Sequence, residues 1–511
     1  MRRAWIPILA AMLLSAAGAQ AVDETLPGPH ALEAARHADD QPQDVRTFAS
    51  ELHPAAAASV APALATRVWG YLPTWSALNL TTFRWDLISD LLVFSYGVGS
   101  DGKISTPSVG STAGWTVATL IEAAHSHGVR VHLVATLFNS SGGSEIASFL
   151  GNGTAKAAAA TNLAAIAKSK GYDGINFDFE FVPSGSKTDY SAFLEAARAT
   201  LRAQVPAGVI TIAAPPSLGY KGYDFAKIAQ VTDGLLVMFY DYHYSGAGYT
   251  GPVAPLTKGG FWSASVEADL NALLAVVPAS SVSLGVPYYG YQWQAATAAI
   301  NAQVVPGTKG TAILYRDTGS LAALHGRLWD APSQTPWLHY TAAGSTQVNQ
   351  LWYDDAQSIA AKYHLARSKG LQGAMIWALG YDNGHAELWS AIQTELGAPV
   401  ATDGGSPDAG QDGGSDAGAD AGTDGGPADA GADGGDLDGG PADAGDAGGS
   451  SGDGGHDGGA PDGGTGGQVD AGQAGPPQTA APESGCGTTS SVGSGWAALL
   501  LLGAALLARR R

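Results

Sequence analysis

Asp178 and Glu180 stand two residues apart in Gly171-Tyr172-Asp173-Gly174-Ile175-Asn176-Phe177-Asp178-Phe179-Glu180-Phe181. Read as a β-strand, this stretch alternates its side chains between two faces. Ile175, Phe177, Phe179 and Phe181 share one face, all large and apolar. Gly174, Asn176, Asp178 and Glu180 share the other. A strand covered on both sides is ordinarily apolar on both, and polar groups there are costly to bury without partners. Two carboxylates at i and i+2 repel each other, so one pKa should rise. A carboxyl kept protonated near neutral pH is a general acid. A solvated edge strand with chance acids would not carry three phenylalanines and an isoleucine on its opposite face.

Such a strand needs neighbours. Apolar runs fit strands at residues 67–72, 90–96, 129–136, 173–180, 209–214, 234–240, 283–288 and 371–378, with amphipathic segments between several of them. Alternating strand and helix predicts an α/β protein with a parallel sheet, and eight strands over this span predict a (β/α)8 TIM barrel. His127-Gly128, Lys170-Gly171 and Lys369-Gly370 each read as a helix end, a cation followed by a left-handed glycine cap. The segment 292–350 is too long for a simple crossover and holds strand candidates at 311–315 and 337–340. It predicts a small α+β insertion between strands seven and eight.

Barrel sites gather at the C-terminal ends of the strands. Those ends carry Tyr71 and Trp75, Glu180, Tyr240-Asp241-Tyr242-His243, Tyr288-Tyr289, and Trp377 with Asp382 soon after. Carboxylates beside aromatics suit carbohydrate: rings stack on the apolar faces of sugars and carboxylates take their hydroxyls. His243 reads equally as a site residue or as a rim hydrogen-bonding group. His125 and His127 read as solvated helix residues rather than metal ligands, since no acid or cysteine cluster accompanies them.

Asp173-Gly174-Ile175-Asn176-Phe177-Asp178-Phe179-Glu180 resembles the DGxDxDxE signature of glycoside hydrolase family 18, the chitinase-type enzymes. Asn176 replaces the first aspartate of DxDxE and is similar to the DGxNxDxE branch that includes spore-cortex peptidoglycan hydrolases and chitobiases. Met238-Phe239-Tyr240-Asp241 resembles the family's MxYD motif, and Met375-Ile376-Trp377 its strand-eight segment, whose Trp floors the sugar site. Gly70–Trp75 and Gly285–Gly290 resemble strands one and seven, whereas 133–137 lacks the usual SxGG. The resemblance covers about residues 67–397. It implies substrate-assisted retaining hydrolysis: Glu180 as acid, Asp178 holding the acetamido N–H, and Tyr240 bonding the acetamido oxygen. Trp377, Asp241, Tyr71 and Asn176 complete the implied substrate contacts. No metal and no cofactor is expected.

The 511 residues carry a net charge of −20. Residues 401–484 hold 17 acids and no Lys or Arg, which leaves −3 for the rest. The acidity therefore belongs to the tail, and nothing is basic enough for nucleic acid. One Cys excludes an intrachain disulfide.

Residues 1–21 read as a secretory signal peptide, with Arg2 and Arg3, an apolar run and Ala19-Gln20-Ala21. Residues 22–65 read as a mature N-terminal linker or pro-segment, 66–397 as the barrel, and 398–484 as a disordered, self-repelling Asp/Gly/Ala stalk. Residues 485–511 combine Gly485-Cys486, an apolar run and Arg509–Arg511. They resemble the myxobacterial C-terminal sorting signal, which implies processing near Cys486; a retained membrane helix is the competing reading. The chain thus reads as an exported, surface-tethered hydrolase of β-1,4-linked glycans containing N-acetylglucosamine: chitin, chito-oligosaccharides or peptidoglycan. The alternatives are a catalytically weak chitinase-like glycan-binding protein on the cell surface, and a structural surface protein.

Overall fold

The computed structural model describes residues 27–38, 64–140 and 142–398. The signal-peptide, stalk and sorting readings fall outside those residues. Eight parallel strands form the barrel: β1 (Arg67–Pro73), β2 (Asp90–Val98), β3 (Arg130–Phe138), β4 (Gly174–Glu180), β5 (Val209–Ala214), β6 (Gly234–Val237), β7 (Val282–Pro287) and β8 (Gly373–Trp377). Each pairs in parallel with the next, and β1 pairs with both β2 and β8, so the sheet closes without edges. Among the described residues, no helix is long and apolar enough to cross a membrane.

All seven residues of β4 are buried, which the period-two pattern requires of a strand between barrel and helices. Phe177 and Phe179 point outward onto Phe193 of the helix Lys187–Gln204, and Phe179 also meets Phe149 of the helix Glu145–Gly151. Asn176, Asp178 and Glu180 turn inward. The helix Gly153–Lys170 delivers the chain to β4. Asn152 caps its start, and Gly171 at φ +83° ends it in the left-handed region that the sequence called for.

β6 is shorter than the 234–240 run. The Phe239 N–H turns back to Val237 O at 2.9 Å, so the ladder stops and the chain bends toward the barrel mouth. Asp241 then adopts φ +60°. That bend re-aims Tyr240 and Asp241 inward.

The insertion is wider than 292–350. Its five-stranded antiparallel sheet runs in the order Thr311–Leu314, Tyr289–Ala295, Val348–Trp352, Thr335–Thr341, Leu328–Asp330, with the helix Tyr315–His325 packed on it. The first strand leaves directly from β7 because Gly290 lets the backbones touch; a Cβ there would lie 2.3 Å from Trp352 O.

The stretch 22–65, expected as a linker or pro-segment, contains a helix, α1 (Pro29–Arg36). Pro29 opens it, a position where the missing N–H costs nothing, and Ala31, Leu32, Glu33, Ala34, Ala35 and Arg36 are good helix formers. Eight residues are too few for a stable isolated helix, which needs roughly 12–15. Its stability must come from what it packs against, and that is the mouth of the barrel.

Candidate active site

β4 supplies a column of three inward polar groups. Lowest is Asn176. Its carbonyl accepts from the Tyr71 hydroxyl of β1 at 2.8 Å, and its amide donates to Thr211 Oγ1 of β5 at 2.9 Å. The neighbouring strands thus take both ends of the Asn176 amide. Above it, Asp178 is fully buried. Its Oδ2 lies 2.8 Å from His30 Nδ1, and its Oδ1 has no hydrogen-bond partner among the described residues. Glu180 caps the column at the strand end, also buried.

Burial pushes the Asp178 carboxyl up to about 8. Glu180 is held well above the usual carboxylate range, first by burial and second by the charge of Asp178. Mutual repulsion alone suggested one raised acid; the dry site raises both. For the same reason, replacing an aspartate by Asn176 does not leave Asp178 easy to ionise.

The other predicted residues converge on this column. Trp377 at the end of β8 forms one wall, with the Phe94 ring edge-on at 5.0 Å and the Tyr71 ring at 5.4 Å. Tyr240 brings its hydroxyl to His30 Nε2 at 2.7 Å. Asp241 accepts from Tyr289 and from Tyr291, the latter at 3.3 Å, and burial raises its carboxyl to about 7. Glu180, Asp178, Tyr240, Trp377, Asp241, Tyr71 and Asn176 therefore share one end of one barrel. His243 instead bonds Pro252 O at 2.9 Å and packs against Trp262. His125 is more than a solvated residue: its Nε2 lies 2.8 Å from Asp173 Oδ2, tying its helix to the start of β4. His127 stacks on Trp85.

Sequence reasoning missed the occupant of the site. α1 places His30 in the pocket, fully buried and stacked on Trp377 at 3.7 Å between ring centroids and 21° between planes. The N–H groups of His30 and Ala31 donate to Glu180 Oε1 and Oε2 at 3.3 and 2.9 Å. Further along α1, Glu33 accepts from the Tyr381 hydroxyl at 2.9 Å and pairs with Arg36. The Arg36 guanidinium lies over the Tyr291 ring at 5.6 Å, and His37 stacks on Trp75 at 4.5 Å. Thr211, Phe94, Tyr381 and Tyr291 escaped the sequence reading as contributors, whereas Trp75 and Tyr289 stood in it among the aromatics at the strand ends. Tyr291 could have been found from the period-two run that begins at Tyr289.

His30, Asp178 and Glu180 are also the one group of His, Cys or acidic residues close enough to hold a metal ion among the described residues. Their hydrogen bonds account for the cluster without one. Both His30 nitrogens are engaged by Asp178 and Tyr240, and both Glu180 oxygens by backbone N–H groups.

A carboxyl raised by burial above a second carboxyl, beside an aromatic wall and a phenol, is suited to protonating a glycosidic oxygen and to holding an amide group beneath it. Comparison with known proteins points the same way. The chain is 29% identical over 304 residues to a provisionally named sporulation-specific glycosylase, YdhD, of Bacillus subtilis (strain 168), covering 57% of this chain and 66% of that one. It is 30% identical over 247 residues to Chitinase A1 of Niallia circulans, covering 41% of this chain and 35% of that one. The chain thus spans about two thirds of the first relative's length and about a third of the second's. The crystal structure of a chitinase from Chromobacterium violaceum ATCC 12472 shares the fold, with a TM-score of 0.53 at 23% identity over 65% of this chain and 99% of that one. The family model described as Glycosyl hydrolases family 18 matches residues 67–382, which hold every candidate site residue from Tyr71 to Trp377, and the chain belongs to that family.

Proposed function

We propose that the barrel hydrolyses β-1,4-linked glycans containing N-acetylglucosamine, with retention and with the substrate's own acetamido group as nucleophile. The observation that carries this is the Asp178–Glu180 pair, two residues apart on one inward strand face and both raised by burial. In a two-carboxylate retaining mechanism, acid and nucleophile flank the scissile bond from opposite sides. Side chains at i and i+2 of one strand lie on the same side, and membership of the family implies that the nucleophile is the acetamido oxygen, which is within reach of the anomeric carbon of its own sugar.

Glu180, its carboxyl raised by burial and by the charge of Asp178, gives its proton to the leaving glycosidic oxygen. The acetamido oxygen bonds the anomeric carbon as the glycosidic bond breaks, giving an oxazolinium. Asp178 accepts the acetamido N–H at Oδ2, the oxygen that faces His30 Nδ1, and Tyr240 orients the acetamido oxygen. Water, deprotonated by Glu180, then opens the ring and restores the sugar. Trp377 stacks under the reacting ring, and Asp241 takes a substrate polar group beside it.

The relatives' names, a glycosylase and a chitinase, support the reaction class. The choice among chitin, chito-oligosaccharides and peptidoglycan is made by assay of the full chain on all three. Reducing ends released from at least one, and not released by Glu180→Gln, are the expected result. Glycan bound without product would favour the chitinase-like binding protein instead. Export and tethering by residues 1–21 and 398–511 belong to the same proposal, and cell fractionation tests them.

A further inference from the structure

We propose that residues 28–37 are an autoinhibitory segment: α1 occupies the sugar site of its own barrel, and substrate enters only when the segment leaves. The inference rests on the glycosidase reading of the site, whose groups it accounts for one by one. The His30 imidazole lies flat on Trp377, where a sugar ring would stack. Its Nδ1 faces Asp178, where an acetamido N–H would donate, and its Nε2 faces the Tyr240 hydroxyl. The first N–H groups of α1, which have no partner inside the helix, saturate both oxygens of Glu180. Acid, acetamido clamp, phenol and platform are thus all engaged by a single turn of the chain.

The fit is specific to this sequence. A Cβ on Gly28 would lie 2.3 Å from Glu180 Oε2 and 2.7 Å from the Phe181 ring, so only glycine passes between them. Glu33 on Tyr381, Arg36 over Tyr291 and His37 on Trp75 extend the contact toward the insertion and the end of β1. Since α1 is too short to be helical alone, a displaced segment loses its fold as well as its contacts. Release is therefore all or none. The segment belongs to the same chain as the barrel, so its binding is intramolecular; at an effective concentration on the order of millimolar even a modest intrinsic affinity keeps the cleft shut.

The full chain and its Gly28→Val and His30→Ala variants separate the possibilities. Amide hydrogen exchange should show His30 and Ala31 protected in the parent chain and exchanging freely in Gly28→Val. Both variants should bind N,N′-diacetylchitobiose at least about tenfold more tightly and hydrolyse chito-oligosaccharides faster by a similar factor. A synthetic peptide of residues 27–38 should inhibit Gly28→Val competitively. Tighter binding without hydrolysis in either variant would leave the autoinhibition standing and remove the hydrolase reading. Unprotected amides in the parent chain would overturn the inhibition. So would variants that bind glycan no better than the parent, or a His30→Ala protein that turns over more slowly, which would make His30 part of the working site.

Discussion

Asp178 sits in a site so dry that its carboxyl titrates at about 8, while burial holds the His30 imidazole beside it down at about 4. Near neutral pH both are uncharged. The consequences for stability have opposite signs. An acid with a raised pKa binds its proton more tightly when folded, so its contribution is lost as pH rises above the unfolded value toward 8. A histidine with a depressed pKa loses its contribution as pH falls from 6.5 toward 4. The two slopes oppose each other below pH 6.5. Above it the raised groups act in one direction, Asp178 and Asp241 with the raised Glu180, and His125, which Asp173 holds above its usual value. Thermal melts should therefore show stability falling from pH 6.5 to 8, and Asp178→Asn should shrink that fall; an unchanged slope would mean Asp178 is not the buried acid described. Glu180→Gln has a two-way signature. It removes the proton donor, so turnover should drop at least about 100-fold. Its amide also sets an N–H against the N–H of His30 or Ala31, so α1 should loosen and glycan should bind more tightly as hydrolysis fails. Asn176 acts as a brace, with Tyr71 on one side and Thr211 on the other. Asn176→Asp should fold but place a carboxylate under Asp178, moving the acid limb of the pH–rate profile. Asn176→Ala should cost about 1–3 kcal/mol by stranding the Tyr71 hydroxyl. Identical pH profiles and melts for the three proteins would show the brace to be idle.

At the scale of elements, the barrel was legible because its strands carry a period the eye can test. The alternation in 174–180 separates Phe177 and Phe179 from Asp178 and Glu180, and the structure sends them to opposite faces as that alternation requires. Phe177→Ala would empty a site between β4 and Phe193, and urea melts should record a loss of about 3–5 kcal/mol. A loss under 1 kcal/mol would mean the outward face is not the packed layer described. Where the sequence misled, long-range geometry decided. β6 looked like seven residues of strand, but one backbone bond from Phe239 to Val237 ends the ladder early, and nothing in the apolar run announces a turn. The insertion began earlier than its composition suggested because Tyr289 and Tyr291 belong both to the site and to the second sheet. α1 was the largest omission. Eight residues give too little period to register, and its partner Glu180 lies 150 positions from His30. The clue available was Gly28-Pro29 followed by a run of helix formers inside a segment otherwise without pattern.

The whole molecule divides its charge unevenly. Of the net −20, the 17 acids of residues 401–484 leave −3 to everything else, including the barrel. Every candidate site residue lies between Tyr71 and Trp377, and the occupant of the site comes from residues 28–37, so the proposed chemistry and its proposed control both draw on residues before 398. The C-terminal stretch then has no catalytic part to play under the proposed function. Its composition is dominated by acids, glycines and alanines. No candidate site residue lies in this stretch. Deleting residues 401–511 should accordingly leave the melting temperature, the pH–rate profile and the response to Gly28→Val unchanged. Under the proposed surface tethering, the same deletion should move the protein from the cell fraction to the medium. The measurement is activity per molecule and its partition between cells and supernatant. A truncated protein that stays with the cells would remove the tail as anchor. One that is released with altered kinetics would show that the tail reaches the barrel after all.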